Sequence, residues 1–514
     1  MGLSIAGLGT APWGRSSPSR SGKPALTLGA RIVFLARRRH PDRRTAGGVM
    51  DDRRQLIVVL PGIGGSVLAR PDRSGEVVWD AGKRDIAGLA FLPGRLSLEE
   101  APHLEPSGLT ESTKLLGFTV VAGYEKLLDQ LAVFGTVDRR GDPRCPVAGA
   151  DVVAVPYDFR RSIVEAAERL DAVVCAHLAG TSQAERAGRV SVVAHSMGGL
   201  VARVWMGLLG RWPWCRSLIT LGTPHRGAPK ALNWLVNGLP LLGATTRMLR
   251  GWPSVVELLP RYPAIWDTTA NVARYPHELP VPWLADRAKA AYDLHVAIEK
   301  GWDGMPRRGP ETVACLGWSH PTPSAAFWTD EQLHVTKDQP GWLGLDGWEK
   351  DFGDGTVPSF SALPPEMDNH EHSPIRLAAR HVPLAHAAVV TDLLNRQRGR
   401  RPPSQAHGPQ ADEHPPALGL GLDELHEAKA PIRVEATLRE VDADVRGLPV
   451  WARLRGAGSA PAEVRLDWDQ ARGCFTGDLP GQASGLCEVR VVAREVPGAG
   501  DLVAADTVAV VEGD

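Results

Sequence analysis

A serine flanked by small residues, at the point where a strand gives way to a helix, is a candidate nucleophile. Ala194-His195-Ser196-Met197-Gly198-Gly199 has that form. The run Val190–Val193, rich in valine, leads into it, and an apolar-periodic stretch from Leu200 to about Leu209 leads out. This order is the signature of a nucleophile elbow, where a strained turn lifts a serine hydroxyl above a parallel sheet. Small residues are needed there because the turn is unfavourable for side chains and the helix passes close to the strand. Ala194 stands where the usual pattern has its first glycine, which keeps the room. A serine in a Gly-rich turn also suits a phosphate, so its partners must decide.

A serine nucleophile requires a base, an acid to orient that base, and N–H donors for the oxyanion. In an elbow-type site the acid and then the histidine follow the serine along the chain. The acid candidate is Asp354 in Gly353-Asp354-Gly355-Thr356-Val357-Pro358, where two glycines permit a tight inward-facing loop; Asp351 is the fallback. An Asp-Gly pair is also the mark of an ordinary turn. For the base there are two candidates, His381 and His386. His381 is favoured because it directly follows the last predicted strand, from which an imidazole can reach across the elbow. His195 is set aside because neighbours in an elbow point apart, and His225 and His320 read as loop or wall residues.

The oxyanion donors are expected from Met197, just after the serine, and from Ile63 in Leu60-Pro61-Gly62-Ile63-Gly64-Gly65-Ser66. That loop lacks the Gly-Lys-Ser/Thr of a Walker phosphate site. It also runs into Val67-Leu68-Ala69-Arg70-Pro71 rather than opening a helix, as a dinucleotide loop would. The oxyanion reading therefore outweighs the phosphate reading.

Such groups need a doubly wound sheet to position them. Continuous apolar runs predict buried parallel strands at Leu56–Leu60, Asp151–Val155, Val190–Ala194, Leu218–Leu221, Thr312–Leu316 and Ile375–Ala379. Helical patterns lie between several of them, such as Ile163 to Leu178, and a final helix is expected at Ala387–Leu394. Twelve of the sixteen tryptophans fall between Trp205 and Trp348, where residues 226–310 form an insertion placed to cap a site and 318–350 suggest a hairpin. Trp234, Leu235, Val236, Leu239, Leu241, Leu242 and Trp252 either shelter an acyl chain or glue that cap to the core, since pockets and cores use the same side chains.

At 514 residues the chain is long enough for two or three domains. Residues 50–396 read as the catalytic domain, and 397–430, rich in Pro, Gly, His and Gln, as a linker. Alternating strands over 431–514 predict a small all-β, immunoglobulin-like sandwich. Residues 1–49 hold nine Lys/Arg and one acid, Asp42, and read as a disordered tail or an over-extended start before Met50. A formal net charge of −1 gives no global sign of nucleic-acid binding. Six scattered cysteines without C-x-x-C spacing argue against a metal cluster, although Cys474 and Cys487 would be near enough in sequence to bridge in an exported protein. No apolar run reaches the roughly 18 residues of a membrane span. The preference for arginine over lysine, 48 to 10, suits a GC-rich bacterial genome, and a cytoplasmic location is expected.

Six segments, taken in order, carry a family resemblance. They are Pro61–Leu68, Val155-Pro156-Tyr157-Asp158-Phe159-Arg160, Ala194–Gly199, Leu221-Gly222-Thr223-Pro224-His225-Arg226-Gly227, Glu257-Leu258-Leu259-Pro260 and Gly353–Pro358. Together, over roughly residues 55–395, they resemble the lecithin:cholesterol acyltransferase family of α/β-hydrolases. The resemblance implies a Ser-Asp-His triad, mapped onto Ser196, Asp354 and His381 with Met197 and Ile63 as oxyanion donors. It also implies lipid acyl esters as substrates, an acyl-serine intermediate, and no cofactor or metal. The animal members carry a disulfide-stapled lipid-surface subdomain near the start of the catalytic domain, whereas residues 70–120 here contain no cysteine. The expected protein is thus a serine acyltransferase or acyl-ester hydrolase with a β domain awaiting a protein or glycan partner, or serving as a cover. The competing expectations are a catalytically silent scaffold with a partner-binding β domain, and a non-lipid esterase or amidase.

Overall fold

The computed structural model describes residues 54–512, except 72–74, 81–92, 112, 116–117, 122, 240–242, 244, 306–308, 346–347, 349–351, 368–373, 387, 399–413 and 457–460. The expected tail at residues 1–49, the fallback acid Asp351, and Leu241 and Leu242 of the cap lie outside the described residues.

Seven strands form the central sheet: β1 (Leu56–Leu60), β2 (Val137–Asp138), β3 (Val152–Ala154), β4 (Val190–His195), β5 (Cys215–Leu221), β6 (Glu311–Gly317) and β7 (Ile375–Leu377). Their order across the sheet is β7-β6-β5-β4-β1-β3-β2, and every pairing is parallel. Parallel strands need crossovers that cover both faces. Accordingly β1 and β4 are buried at every position. One face packs under α1 (Ile163–His177) and α2 (Met197–Gly207), through residues such as Val58, Val192, Leu170 and Trp205. The other face holds Ile57, Val193, Ile219 and Leu393.

Helix α1 starts where Ser162 accepts the N–H of Val164. Its first turn is further tied to Glu257, which accepts from Ser162 Oγ at 2.6 Å and Ile163 N at 2.8 Å. Helix α2 leaves β4 with no spacer except Ser196. Gly198 and Gly199 allow this close approach, because a Cβ on the first would lie 2.5 Å from Pro61 O and on the second 2.1 Å from Thr223 Oγ1.

Between β5 and β6 the chain makes the expected insertion, which includes α3 (Pro229–Val236) and α4 (Pro282–Asp303). The hairpin Ala325–Thr329/Gln332–Thr336 joins the insertion's strands Ile265–Asp267 and Val272–Arg274 in a four-stranded sheet, so the cap draws on residues beyond 310. Leu235 and Trp252 are core residues of this region; Trp252 donates its indole N–H to Leu96 O and meets Phe159 edge-on. After β7 come the single turn α5 (His381–Leu384) and α6 (Val389–Gln397).

The C-terminal region is an eight-stranded sheet curled around its own core of Leu420, Val434, Leu454, Phe475 and Val489. Its strands are β8 (Ala417–Gly421), β9 (Leu425–Glu427), β10 (Ile432–Arg439), β11 (Val450–Gly456), β12 (Ala462–Asp469), β13 (Cys474–Leu479), β14 (Gly485–Val496) and β15 (Gly500–Val511), ordered β8-β10-β13-β12-β11-β14-β15-β9. The start of β12 pairs with β11 and its end with β13, so this one strand turns the sheet back on itself. The boundary expected at residue 431 is corrected: β8 and β9 lie within the stretch read as linker. The reason is compositional, since Ala417-Leu418-Gly419-Leu420-Gly421 has glycines where an alternating strand would show side chains. Cys474 and Cys487 are both buried and are not joined by a disulfide. Arg53–Asp514 forms one compact unit, so the β domain and the parallel-sheet domain share contacts.

Candidate active site

Strand β4 ends at His195 and helix α2 begins at Met197, leaving Ser196 as the whole of the turn. Its backbone sits at φ 53°, ψ −127°, outside the regions a side chain ordinarily favours. This geometry projects the hydroxyl from the C-terminal edge of the sheet. His381, first residue of α5 after β7, places Nε2 2.8 Å from Ser196 Oγ. The other ring nitrogen, Nδ1, lies 2.7 Å from Asp354 Oδ2. A carboxylate can only accept, so Nδ1 carries the proton and Nε2 is left to accept from the serine hydroxyl.

Asp354 is itself held. It is 1% exposed, and its second oxygen accepts the N–H groups of Thr356 at 2.9 Å and Val357 at 2.7 Å. The short strand Gly353–Asp354 pairs with Ser319–His320, which fixes the loop against the end of β6. Gly222 at the end of β5 has φ +58°, and a Cβ there would lie 2.8 Å from Asp354 Oδ2 and 3.2 Å from His381 Nδ1. Glycine is thus needed for both conformation and space. The structure brings together Ser196, Asp354 and His381. His386, the other candidate base, lines the cavity, but the nitrogen bonded to Ser196 Oγ belongs to His381.

The glycine loop after β1 lies directly over the serine. A Cβ on Gly62 would sit 2.8 Å from Ser196 Cβ and 3.3 Å from its Oγ. The Gly62 N–H is already committed to Tyr124 Oη at 2.7 Å, and the next residue, Ile63, lines the cavity in front of the serine. Met197 opens α2, so its N–H has no acceptor within the helix. Tyr157 supports this loop from behind, donating its hydroxyl to Pro61 O at 2.5 Å while its N–H reaches Ser66 Oγ at 3.0 Å. Arg160 anchors the Tyr157 segment through a buried pair with Asp158 and a hydrogen bond to Ala101 O.

Sequence reasoning gave His195 no part, yet it is a hub. Nε2 lies 2.9 Å from His381 O, and Nδ1 lies 2.6 Å from Tyr124 Oη. Because a carbonyl only accepts, Nε2–H donates to it, Nδ1 accepts from Tyr124, and Tyr124 accepts from Gly62. Burial and the nearby His381 push the His195 pKa down to about 3, so the ring is neutral, as this chain of bonds demands. Burial likewise raises the Tyr124 phenol, keeping its proton in place. No spacing rule links residues 62, 124, 195 and 381. His225 and His320 are buried; His320 Nδ1 accepts the Leu420 N–H at 2.9 Å, tying it to the β domain.

The serine opens onto a cavity of about 440 Å³ with an apolar lining that includes Ile63, Trp79, Ala231, Trp234 and Leu258. Of the expected cap side chains, Trp234 lines it, whereas Leu235 and Trp252 pack in the core. Among the described residues no cluster of His, Cys, Asp or Glu is arranged to hold a metal ion, and no helix is long and apolar enough to cross a membrane.

Residues 103–289 match the family model for lecithin:cholesterol acyltransferase. Among solved structures, the chain is similar to the lipase BlEst2 of Bacillus licheniformis. The mature form aligns at 12% identity and a TM-score of 0.33, over 68% of this chain and 93% of that one. The propeptide form aligns at 10% identity and a TM-score of 0.32, over 89% and 94% respectively. A superoxide reductase (neelaredoxin) from Ignicoccus hospitalis aligns at 15% identity and a TM-score of 0.14, over 18% of this chain and 80% of that one. No curated protein matches. The seven-stranded parallel sheet and the elbow between β4 and α2 give the chain the core of an α/β-hydrolase fold, and over residues 103–289 it is similar to the lecithin:cholesterol acyltransferase family.

Proposed function

We propose that the protein is a serine-dependent lipid acyl-ester hydrolase or acyltransferase that works through an acyl-serine. The observation that carries this reading is the position of His381, whose two nitrogens bridge Ser196 Oγ and the buried Asp354. Ser196 Oγ attacks the ester carbonyl carbon while its proton passes to His381 Nε2. Asp354 holds the imidazole in the tautomer that can accept and stabilises the cation that forms. The carbonyl oxygen, now negative, takes hydrogen bonds from the N–H groups of Met197 and Ile63. Collapse breaks the ester C–O bond, the leaving alcohol takes the proton from His381, and the acyl group stays on Ser196.

A second nucleophile then repeats the sequence in reverse. Water yields the free acid, and an acceptor alcohol yields a new ester. The apolar lining around Trp79 and Trp234 supports an acyl chain as the group held during these steps.

Incubation with a fluorophosphonate probe, followed by mass spectrometry, tests the reading. One phosphonyl adduct is expected on Ser196, absent in Ser196→Ala, with p-nitrophenyl ester turnover rising as the acyl chain lengthens. Absence of labelling in the parent protein would favour a silent scaffold. Turnover falling with chain length would favour a non-lipid esterase.

A further inference from the structure

The C-terminal β domain supplies one side of the cavity: Glu424, Leu486, Asp506, Thr507 and Ala509 line it together with Ser196 and His381. Its grip on the catalytic loops is concentrated on Arg380, the residue before His381. Arg380 is 3% exposed, and its guanidinium pairs with Asp506 and donates to Leu420 O at 2.7 Å and Leu422 O at 3.2 Å. All three partners belong to the β domain. The same guanidinium packs on the acid loop, since a Cβ on Gly355 would lie 2.9 Å from Arg380 Cζ. Arg380 is therefore wedged between the loop that carries Asp354 and the sheet made by β8 and β15.

A second tie runs alongside it. Glu424 pairs with Lys230 of α3 and accepts from Thr356 Oγ1 at 3.3 Å, two residues beyond Asp354. Lys230 Nζ also donates to Thr356 at 3.1 Å. A third is the Leu420–His320 bond, on the strand beside Asp354.

From these contacts we infer that the β domain is a built-in wall of the substrate cavity and that Asp506 is a positioning residue, acting through Arg380 to set His381. This rests on the proposed serine mechanism. A guanidinium held by one carboxylate and two carbonyls of another domain has little freedom, and the adjacent imidazole inherits that constraint. The β domain then acts on the reaction from within the chain, and the acyl or alcohol group is selected partly by Leu486 and Ala509.

The test uses the full-length chain. The second-order rate of fluorophosphonate labelling is measured for the parent, Asp506→Asn and Asp506→Glu, with circular dichroism confirming the fold. A fall of at least tenfold in Asp506→Asn, partly restored in Asp506→Glu, is expected. An unchanged rate in a parent that does label would overturn the positioning role while leaving the serine mechanism standing. A faster rate would make the domain a restraining cover and overturn it equally. A parent that never labels would instead remove the mechanism. Ala509→Phe gives an independent reading if Asp506→Asn loses its fold: the ratio of kcat/KM for octanoate over acetate esters should fall at least fivefold. A constant ratio would take the β domain out of the cavity.

Discussion

The imidazole of His195 is hydrogen-bonded at 2.9 Å to the backbone carbonyl of His381, so the residue before the proposed nucleophile holds the main chain of the proposed base. The same ring reaches Tyr124, and through it the Gly62 N–H in the glycine loop after β1. Ser196, His381 and the glycine loop after β1 are thus linked by a path separate from the Ser196–His381–Asp354 bonds. That path has no charged member, because burial keeps both the ring and the phenol neutral.

Tyr124→Phe cuts this path at its centre. It leaves the Gly62 N–H without its acceptor and His195 Nδ1 without its donor, both in buried surroundings. The expected loss is about 1–3 kcal/mol of stability. Labelling of Ser196 should slow by about tenfold as the Ile63 donor loosens. Thermal unfolding and probe kinetics on the same samples measure the two effects, and a Phe variant as stable and reactive as the parent would refute the linkage.

The two candidate bases separate by substitution. His381→Ala removes the imidazole that bridges Ser196 and Asp354, and turnover should fall on the order of 10⁴–10⁶-fold. His386→Ala changes a cavity-lining side chain while the imidazole bonded to Ser196 Oγ stays in place, so its turnover should stay readily measurable in the same p-nitrophenyl ester assay. Reversed effects would transfer the role to His386.

Gly62→Ala inserts a methyl carbon 2.8 Å from Ser196 Cβ, closer than side-chain carbons tolerate. Either the serine or the loop must shift, and a displacement near 1 Å costs roughly 100-fold in rate. The fold should persist, because the strain is confined to one loop. Turnover and melting temperature of the variant check this, with an active Gly62→Ala protein as the contrary result.

Acid should weaken the fold through buried neutral histidines. Burial lowers His195 and His320 to about 3, His295 to about 4, and His225 well below 6.5. Between those values and 6.5 the unfolded chain binds protons that the folded chain refuses, so stability falls as pH drops below 6.5 and is retained above it. Each such histidine contributes a slope of about 1.4 kcal/mol per pH unit within its window. Melting temperature measured from pH 8 to pH 5 should decline on the acid side, and His320→Gln should flatten the decline. A flat parent profile would contradict the neutral state assigned to these rings.

Much of the core was legible because it rests on local patterns. Strand β1 has the predicted bounds Leu56–Leu60, and the other five predicted strands differ only at their ends. The serine turn, the Gly353–Pro358 loop and the glycine loop each announce themselves through small residues at fixed offsets. By contrast, Arg380 and Asp506 are single charges 126 positions apart, and nothing in their neighbours marks them as partners. Tyr124 and His195 escaped for the same reason: a hydrogen bond across 71 residues has no period. Strands β8 and β9 were missed because glycines dilute the alternation of the first and the second is only three residues long.

The conformation of Ser196 carries a consequence for how such a chain can change over generations. A side chain at φ 53°, ψ −127° costs on the order of 1–3 kcal/mol, and glycine would relieve most of that for about 0.5–1 kcal/mol of lost entropy. On the proposed mechanism, replacement by glycine would therefore give a sturdier but inert protein. At this position, selection for folding and selection for chemistry pull in opposite directions, so a serine kept here in working copies of the chain would be kept by its reactivity alone.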